Sequence, residues 1–249
     1  MIFGAICVII NPYPAAKEMI KLIHITGDTH ADLNELIHRA NSNYITKGDT
    51  LIVTGDFGFT WGDEVRELYL EKLAAVPYTI AFIDGNHENF DKLYSYPVVD
   101  FCGGKAHQVR KNIFHLMRGE VFIIEGFSFF CFGGAYSIDK ALRTQHVSWW
   151  PQEIPSREDY DHASKTLERI NFKTDYVLTH TIPQSFIYKL GITPDAHDAE
   201  LTGYLEWLYR ELDFKKWYAG HFHLNKDFGR LHILYEGVIG IWDKTKAQQ

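Results

Sequence analysis

The chain has 249 residues, 46% of them apolar and 15% aromatic, enough to fill one large core, and no apolar run reaches the roughly 18 residues that a membrane-spanning helix needs. A formal net charge of −7, from 25 Lys and Arg against 32 Asp and Glu, disfavours a general nucleic-acid or anionic-membrane binder, because affinity for phosphate backbones comes from clustered cations. Three cysteines, Cys7, Cys102 and Cys131, without a CxxC pair imply no disulfide framework and point to a reducing, cytoplasmic setting.

The N-terminal stretch MIFGAICVIINPYPAAKE has an apolar run like that of a signal sequence, but no Lys or Arg precedes it and Asn11, Pro12 and Pro14 break it. Residues 1–18 are read as a dispensable extension, with an edge strand or dimer contact at 2–10 as the alternative, and 19–249 as a single domain. A strand over 21–26 leads to Asp28 and His30. A helix begins at Asp32, where Glu35 completes a capping-box pattern. A strand over 50–54 precedes Asp56, and 63–75 reads as a helix with apolar Val65, Leu68, Leu70 and Leu73. A strand over 78–83 precedes Asn86 and His87. From about 108 to 132 the pieces RKNIFHLMRG, EVFIIEG and FSFFCFGG read as strands turning at Gly119 and Gly126. A helix over 156–170, capped by Ser156 with Asp159 at the third position, is followed by a strand over 176–179 that ends at His180. A helix over 202–212 and strands over 215–219 and 230–235 complete the chain. This order predicts an α/β domain with two mixed sheets face to face and helices outside.

Five of the strand-like runs end in a small residue followed by Asp, Asn or His: IHITGDTH, LIVTGD, IAFIDGNHE, YVLTH and WYAGHFH. Such recurrence over about 200 residues argues for one site, because open α/β sheets bind ligands at the carboxyl ends of their strands. Oxygen donors from Asp28, Asp56 and Asn86, mixed with the imidazoles of His30, His180, His221 and His223, suit Mn, Fe, Zn or Co better than Ca or Mg. The set is too large for one ion. Two ions sharing a carboxylate are the arrangement that clamps the attacking and leaving oxygens of a displacement at phosphorus.

In type, order and spacing, Asp28-Thr29-His30, Gly55-Asp56, Gly85-Asn86-His87-Glu88, His180 and Gly220-His221-Phe222-His223 resemble the calcineurin-like metallophosphoesterases over about residues 22–240. The resemblance implies a four-layer α-β-β-α sandwich. It implies one ion held by Asp28, His30, Asp56 and His223 and another by Asp56, Asn86, His180 and His221, with Asp56 bridging and a bridging hydroxide attacking in line. Manganese is the ion expected to support activity in vitro. His87 would face the substrate and give a proton or hydrogen bond to the phosphoryl or leaving-group oxygen, a step typically worth about 10²–10⁴ in rate. The other histidines, His24, His38, His107, His115, His162, His197 and His232, lack a ligand-like context.

Departures from the family's subgroups narrow the substrate. Ala31 stands where protein phosphatases and symmetrical dinucleoside tetraphosphatases have Gly, and Phe-Gly-Phe-Thr-Trp follows Asp56 in place of the segment carrying Asp-Arg-Gly. The arginine expected to clamp phosphate is therefore missing from that loop. The segment 133–155 is read as a substrate loop in its place, with Arg143 or Lys140 on phosphate, Tyr136 beside them and the Trp149-Trp150 pair as an apolar wall. The expected activity is hydrolysis of a phosphomonoester or phosphodiester of a small, nucleotide-like molecule. The alternatives are a non-catalytic metal-binding scaffold of the same fold and, less favoured, a two-metal amide hydrolase.

Overall fold

The computed structural model describes residues 21–242. One sheet contains, in spatial order, β13 (Val238–Ile241), β1 (Ile23–Thr26), β2 (Thr50–Val53), β3 (Thr79–Phe82), β6 (Ile113–Leu116), β5 (Gly104–Arg110) and β4 (Val98–Phe101). Strands β1, β2, β3 and β6 are parallel, and the flanking strands pair antiparallel. The second sheet contains β11 (Lys226–Phe228), β12 (Leu231–Ile233), β10 (Lys216–Ala219), β9 (Tyr176–Thr179), β8 (Phe127–Phe132) and β7 (Glu120–Ile124). Its central strands β12, β10, β9 and β8 are also parallel.

Side-chain alternation along these strands sorts the core into three layers of contact. Between the sheets lie Ile23, Ile25, Ile52 and Ala81 from the first, against Phe129, Cys131, Leu178 and Tyr218 from the second. The opposite face of the first sheet presents Leu51, Val53, Ile80 and Phe82 to α1 (Leu33–Ser42), α2 (Glu64–Ala74) and α3 (Phe90–Leu93). The outer face of the second presents Phe130, Phe132, Val177 and Trp217 to α4 (Arg157–Arg169), α5 (Gln184–Lys189) and α6 (Ala199–Glu211). Two mixed sheets flanked by helices on both sides are the expected α/β sandwich. No helix among the described residues is long and apolar enough to cross a membrane.

Several local expectations need correction. Asp32 caps α1 by accepting the Glu35 N–H at 2.9 Å, but the Glu35 carboxylate takes Arg39 Nε at 2.8 Å and does not close a capping box. Ser156 and Asp159 do close one, at 3.2 and 2.7 Å. In α2 only Leu70 and Leu73 of the four apolar residues turn inward; Val65 and Leu68 are 49% and 57% exposed. The strand-rich region starts earlier than 108, at the half-exposed β4, whose four residues turn only Val99 and Phe101 inward, too short a pattern to read as a strand. Within 133–155, Trp150 is not a substrate wall. It is 1% exposed, packs edge-on against Trp61 and donates from Nε1 to Asp91 at 2.8 Å, so it plugs the first sheet's helical layer. The expectation for residues 1–18 lies outside the described residues.

Candidate metal centre

The carboxyl ends of β1, β2 and β3 in one sheet and of β9 and β10 in the other meet along one edge of the sandwich. Each strand there hands over to an abrupt turn. His30, Ala31, Asp56, His221 and His223 all adopt positive φ, between 45° and 69°, a conformation that non-glycine residues hold only when their surroundings enforce it. The motif glycines make room for ligands from other motifs: a Cβ on Gly55 would strike His180, one on Gly85 would strike Asp56, and one on Gly220 would strike Asp28. The Gly-ligand dipeptides legible in the sequence are therefore halves of interlocked pairs.

Two overlapping donor triplets result. Asp28, His30 and His223 form one, and Asp28, Asp56 and His180 the other. His30 Nε2 and His223 Nε2 are 2.9 Å apart, and His223 Nε2 is 3.2 Å from Asp28 Oδ2. The two oxygens of Asp56 face opposite ways, Oδ2 lying 3.8 Å from His30 Nε2 and Oδ1 3.4 Å from His180 Nε2. Asn86 Oδ1 approaches the same His180 nitrogen at 3.1 Å. The His221 ring packs edge-on against His180, its backbone N–H donates to Asp28, and its ring nitrogens hydrogen-bond to no described residue.

This donor set fits divalent cations. His180 Nδ1 is committed to the Thr54 carbonyl at 2.8 Å, so its Nε2 meets Asp56 and Asn86 oxygens that have only lone pairs to offer. Such a cluster needs a proton or a cation among its members. With protein groups alone, burial opposes charge on His180, but Asp56 and Asp28 override it and push the imidazole up to about 10. Burial likewise opposes ionisation of Asp56, yet His180, His87 and His30 hold that carboxyl far below the usual range. His221 is pushed down to about 4, by burial first and then by the charge of His180, which leaves one ring nitrogen with its lone pair available.

Residues that the sequence did not single out support these donors. Arg39, on α1, is buried and donates from Nη1 to the carbonyls of Gly27, Asp28 and Tyr235, which fixes the turn that presents Asp28. Glu88 is fully buried and accepts the backbone N–H groups of Phe57 and Gly58 at 2.7 and 3.3 Å, which pins the loop after Asp56. Asn86 Nδ2 donates to Ser137 Oγ at 3.0 Å, an arrangement that turns Oδ1 toward His180. The Ser137 hydroxyl then has its own proton to place. Beside it is the fully buried carboxylate of Glu153, whose Oε2 has no other partner.

His87 sits over the cluster. Its backbone N–H donates to Asp56 Oδ1 at 2.7 Å, and its ring lies edge-on to His30. Arg143 reaches it from the 133–155 segment, while Asp139 pairs with the same guanidinium at 2.8 Å. Lys140 and Tyr136 are engaged elsewhere in that segment: Lys140 Nζ sits 3.7 Å above the Trp149 ring and 5.2 Å from that of Tyr136, which stacks on His197. The remaining histidines belong to neither donor triplet.

No curated protein matches this chain. A solved structure provisionally assigned as a 5′-nucleotidase from Staphylococcus aureus, in complex with α-ketoglutarate, is 12% identical with a TM-score of 0.41. The match covers 88% of this chain and 50% of that one, so this chain spans half its length. The family model of the calcineurin-like phosphoesterases matches residues 21–225, which include every donor described above. The chain belongs to the calcineurin-like phosphoesterase family.

Proposed function

We propose that this chain is a binuclear-metal phosphoesterase that hydrolyses a phosphomonoester or phosphodiester of a small, nucleotide-like molecule. The observation that carries this reading is the convergence of Asp28, His30, Asp56, Asn86, His180, His221 and His223 beneath the paired His87 and Arg143. Members of the family generally use divalent ions, and the mixed carboxylate, amide and imidazole set suits Mn, Fe, Zn or Co. When bound, the ions supply a nucleophile at neutral pH and neutralise charge on the phosphoryl oxygens.

The protein's own groups do the rest. Asp56, with one oxygen toward each side of the cluster, holds the two halves in register. Asn86 and His180 are fixed by Ser137 and by the Thr54 carbonyl, so neither needs to reorganise as charge develops. Arg143 presents a fork of N–H donors to the phosphoryl oxygens. His87 donates a proton or hydrogen bond to the leaving oxygen. A non-catalytic scaffold has no use for these two side chains poised above the donors.

The test is reconstitution of the metal-stripped protein with Mn, Fe, Zn or Co, followed by assays on phosphomonoesters, phosphodiesters and amides. Two ions per chain and ester hydrolysis are expected, with both lost in Asp56→Asn. Stoichiometric metal without turnover of any phosphoester would instead support the scaffold.

A further inference from the structure

A cleft of about 810 Å³ opens between β4, β5, β6, β7, segment 151–156 and the start of α4, and none of the seven proposed metal ligands lines it. Its volume is that of small-molecule sites, which run from about 300 to 1,000 Å³. Tyr94, Val98, Met117, Pro151, Ile154 and Pro155 give it apolar walls. The ionisable groups of its walls are paired. Arg118 pairs with Asp84 and, at 3.5 Å, with Asp159, while His162 pairs with Glu120 at 3.0 Å. At the rim, Lys105 pairs with Asp100 at 2.7 Å and Glu158 is solvated.

Two uncharged lining residues keep a polar atom without a hydrogen-bond partner among the described residues. Gln152 Oε1 is buried without a partner. His107 is 4% exposed and ends a chain of hydrogen bonds: its Nδ1 is 3.0 Å from His115 Nδ1, and His115 Nε2 is 3.1 Å from Asp84 Oδ1. Arg118 Nε donates to Asp84 Oδ2 at 2.8 Å, an ion pair that leaves Asp84 Oδ1 as the acceptor facing His115. His115 therefore donates from Nε2 and, when neutral, offers a bare Nδ1 to the Nδ1–H of His107. That assignment leaves His107 Nε2 as a lone pair with no partner among the described residues. Burial, and then the neighbouring His115, push the His107 imidazole down to about 4, so the ring is neutral at physiological pH. The rings of Tyr94, His107 and His115 lie nearly parallel, within 17° between neighbours, where they line the cleft.

We propose that this cleft is a second ligand site that takes a neutral, flat aromatic molecule donating one N–H or O–H to His107 Nε2. The paired charges offer nothing to an ionic ligand, the parallel rings match an aromatic face, and the unpaired nitrogen specifies a donor. The site stands independently of the metal chemistry, although Arg118 joins its wall, through the Gln152 carbonyl at 2.7 Å, to Asp84 at the end of β3.

Indole and 1-methylindole test it, because they share a ring system and differ in the N–H. Titrated against the metal-loaded full-length protein by NMR, indole should bind saturably, shift the His107 ring resonances and bind roughly three- to tenfold more tightly than 1-methylindole. His107→Phe, which keeps a flat ring without the acceptor, should bind both equally. The wild-type comparison stands alone should the variant fold poorly. Absence of saturable indole binding, equal affinities in the wild type, or a preference that survives in His107→Phe would each overturn the proposal.

Discussion

Arg143 touches His87 along its whole edge, Nη1 lying 3.1 Å from Nδ1 and Nη2 3.2 Å from Nε2. A neutral imidazole has one ring lone pair, so only one of these approaches is a hydrogen bond, and Asp139, at 2.8 Å, helps to hold the guanidinium in place. The Ser148 carbonyl accepts from Arg143 as well, at 3.2 Å. We predict that Arg143→Lys raises the Michaelis constant or lowers turnover several-fold, because ammonium cannot reproduce the fork. Metal content and melting temperature should not move. Wild-type kinetics on every accepted substrate would return Arg143 to a structural role.

Burial first, and in part the charge of Arg143, lower the His87 imidazole below its ordinary value, with Asp56 opposing. Its proposed task is to supply a hydrogen to the leaving oxygen. His87→Ala should keep both ions and lose roughly 10²–10⁴ in turnover on alkyl phosphates, and much less on an activated aryl phosphate. Equal losses on the two substrates would count against proton donation.

Of the seven ligands, Ser137 hydrogen-bonds to Asn86, and Glu153 lies behind Ser137. Their removal should therefore be read first as metal affinity. Ser137→Ala and Glu153→Gln are each expected to weaken one ion's binding by roughly ten- to a hundredfold, measured by calorimetry on stripped protein, while the other ion binds as before. Unchanged affinity for both ions would leave the Asn86–Ser137 bond without that role.

Asp198 supplies a prediction on stability. It precedes α6 without capping it, is 6% exposed and has Oδ1 unpartnered. Burial raises its carboxyl to about 6, despite a hydrogen bond from the Tyr136 backbone. The folded state thus holds this proton more tightly than the unfolded chain does. The associated stability is present below about pH 4 and lost as pH rises through about 6. Asp198→Asn should stabilise the protein by roughly 1–3 kcal/mol at pH 8 and hardly at all at pH 4, read from denaturant midpoints at both. A gain of the same size at both pH values would mean that ionisation is not the cause.

Much of the centre was legible because its chemistry is local: a strand, a glycine and a ligand occupy adjacent positions in the chain. The central strands were legible for the same reason. What the sequence concealed was cooperation at a distance. Arg39 looks like a cation in the last turn of a surface helix, and nothing local reveals that it gathers carbonyls from Gly27 to Tyr235. Glu153 looks like a loop charge, yet it is fully buried beside Ser137. Val65 and Leu68 misled in the opposite direction, since composition cannot say which face of α2 turns inward. His107 and His115 lack a ligand-like sequence context, which bears on metals and not on the cleft they line.

The interlock between glycines and ligands has a genetic consequence. Gly85 lies against Asp56, Gly220 against Asp28 and Gly55 against His180, so a change at one motif is felt at another far away in sequence. Gly85→Ala alters no donor, yet its methyl would displace Asp56 and compromise both halves of the centre. Positions that look independent when the motifs are read one at a time are epistatic in pairs, and neither partner can drift while the other stays.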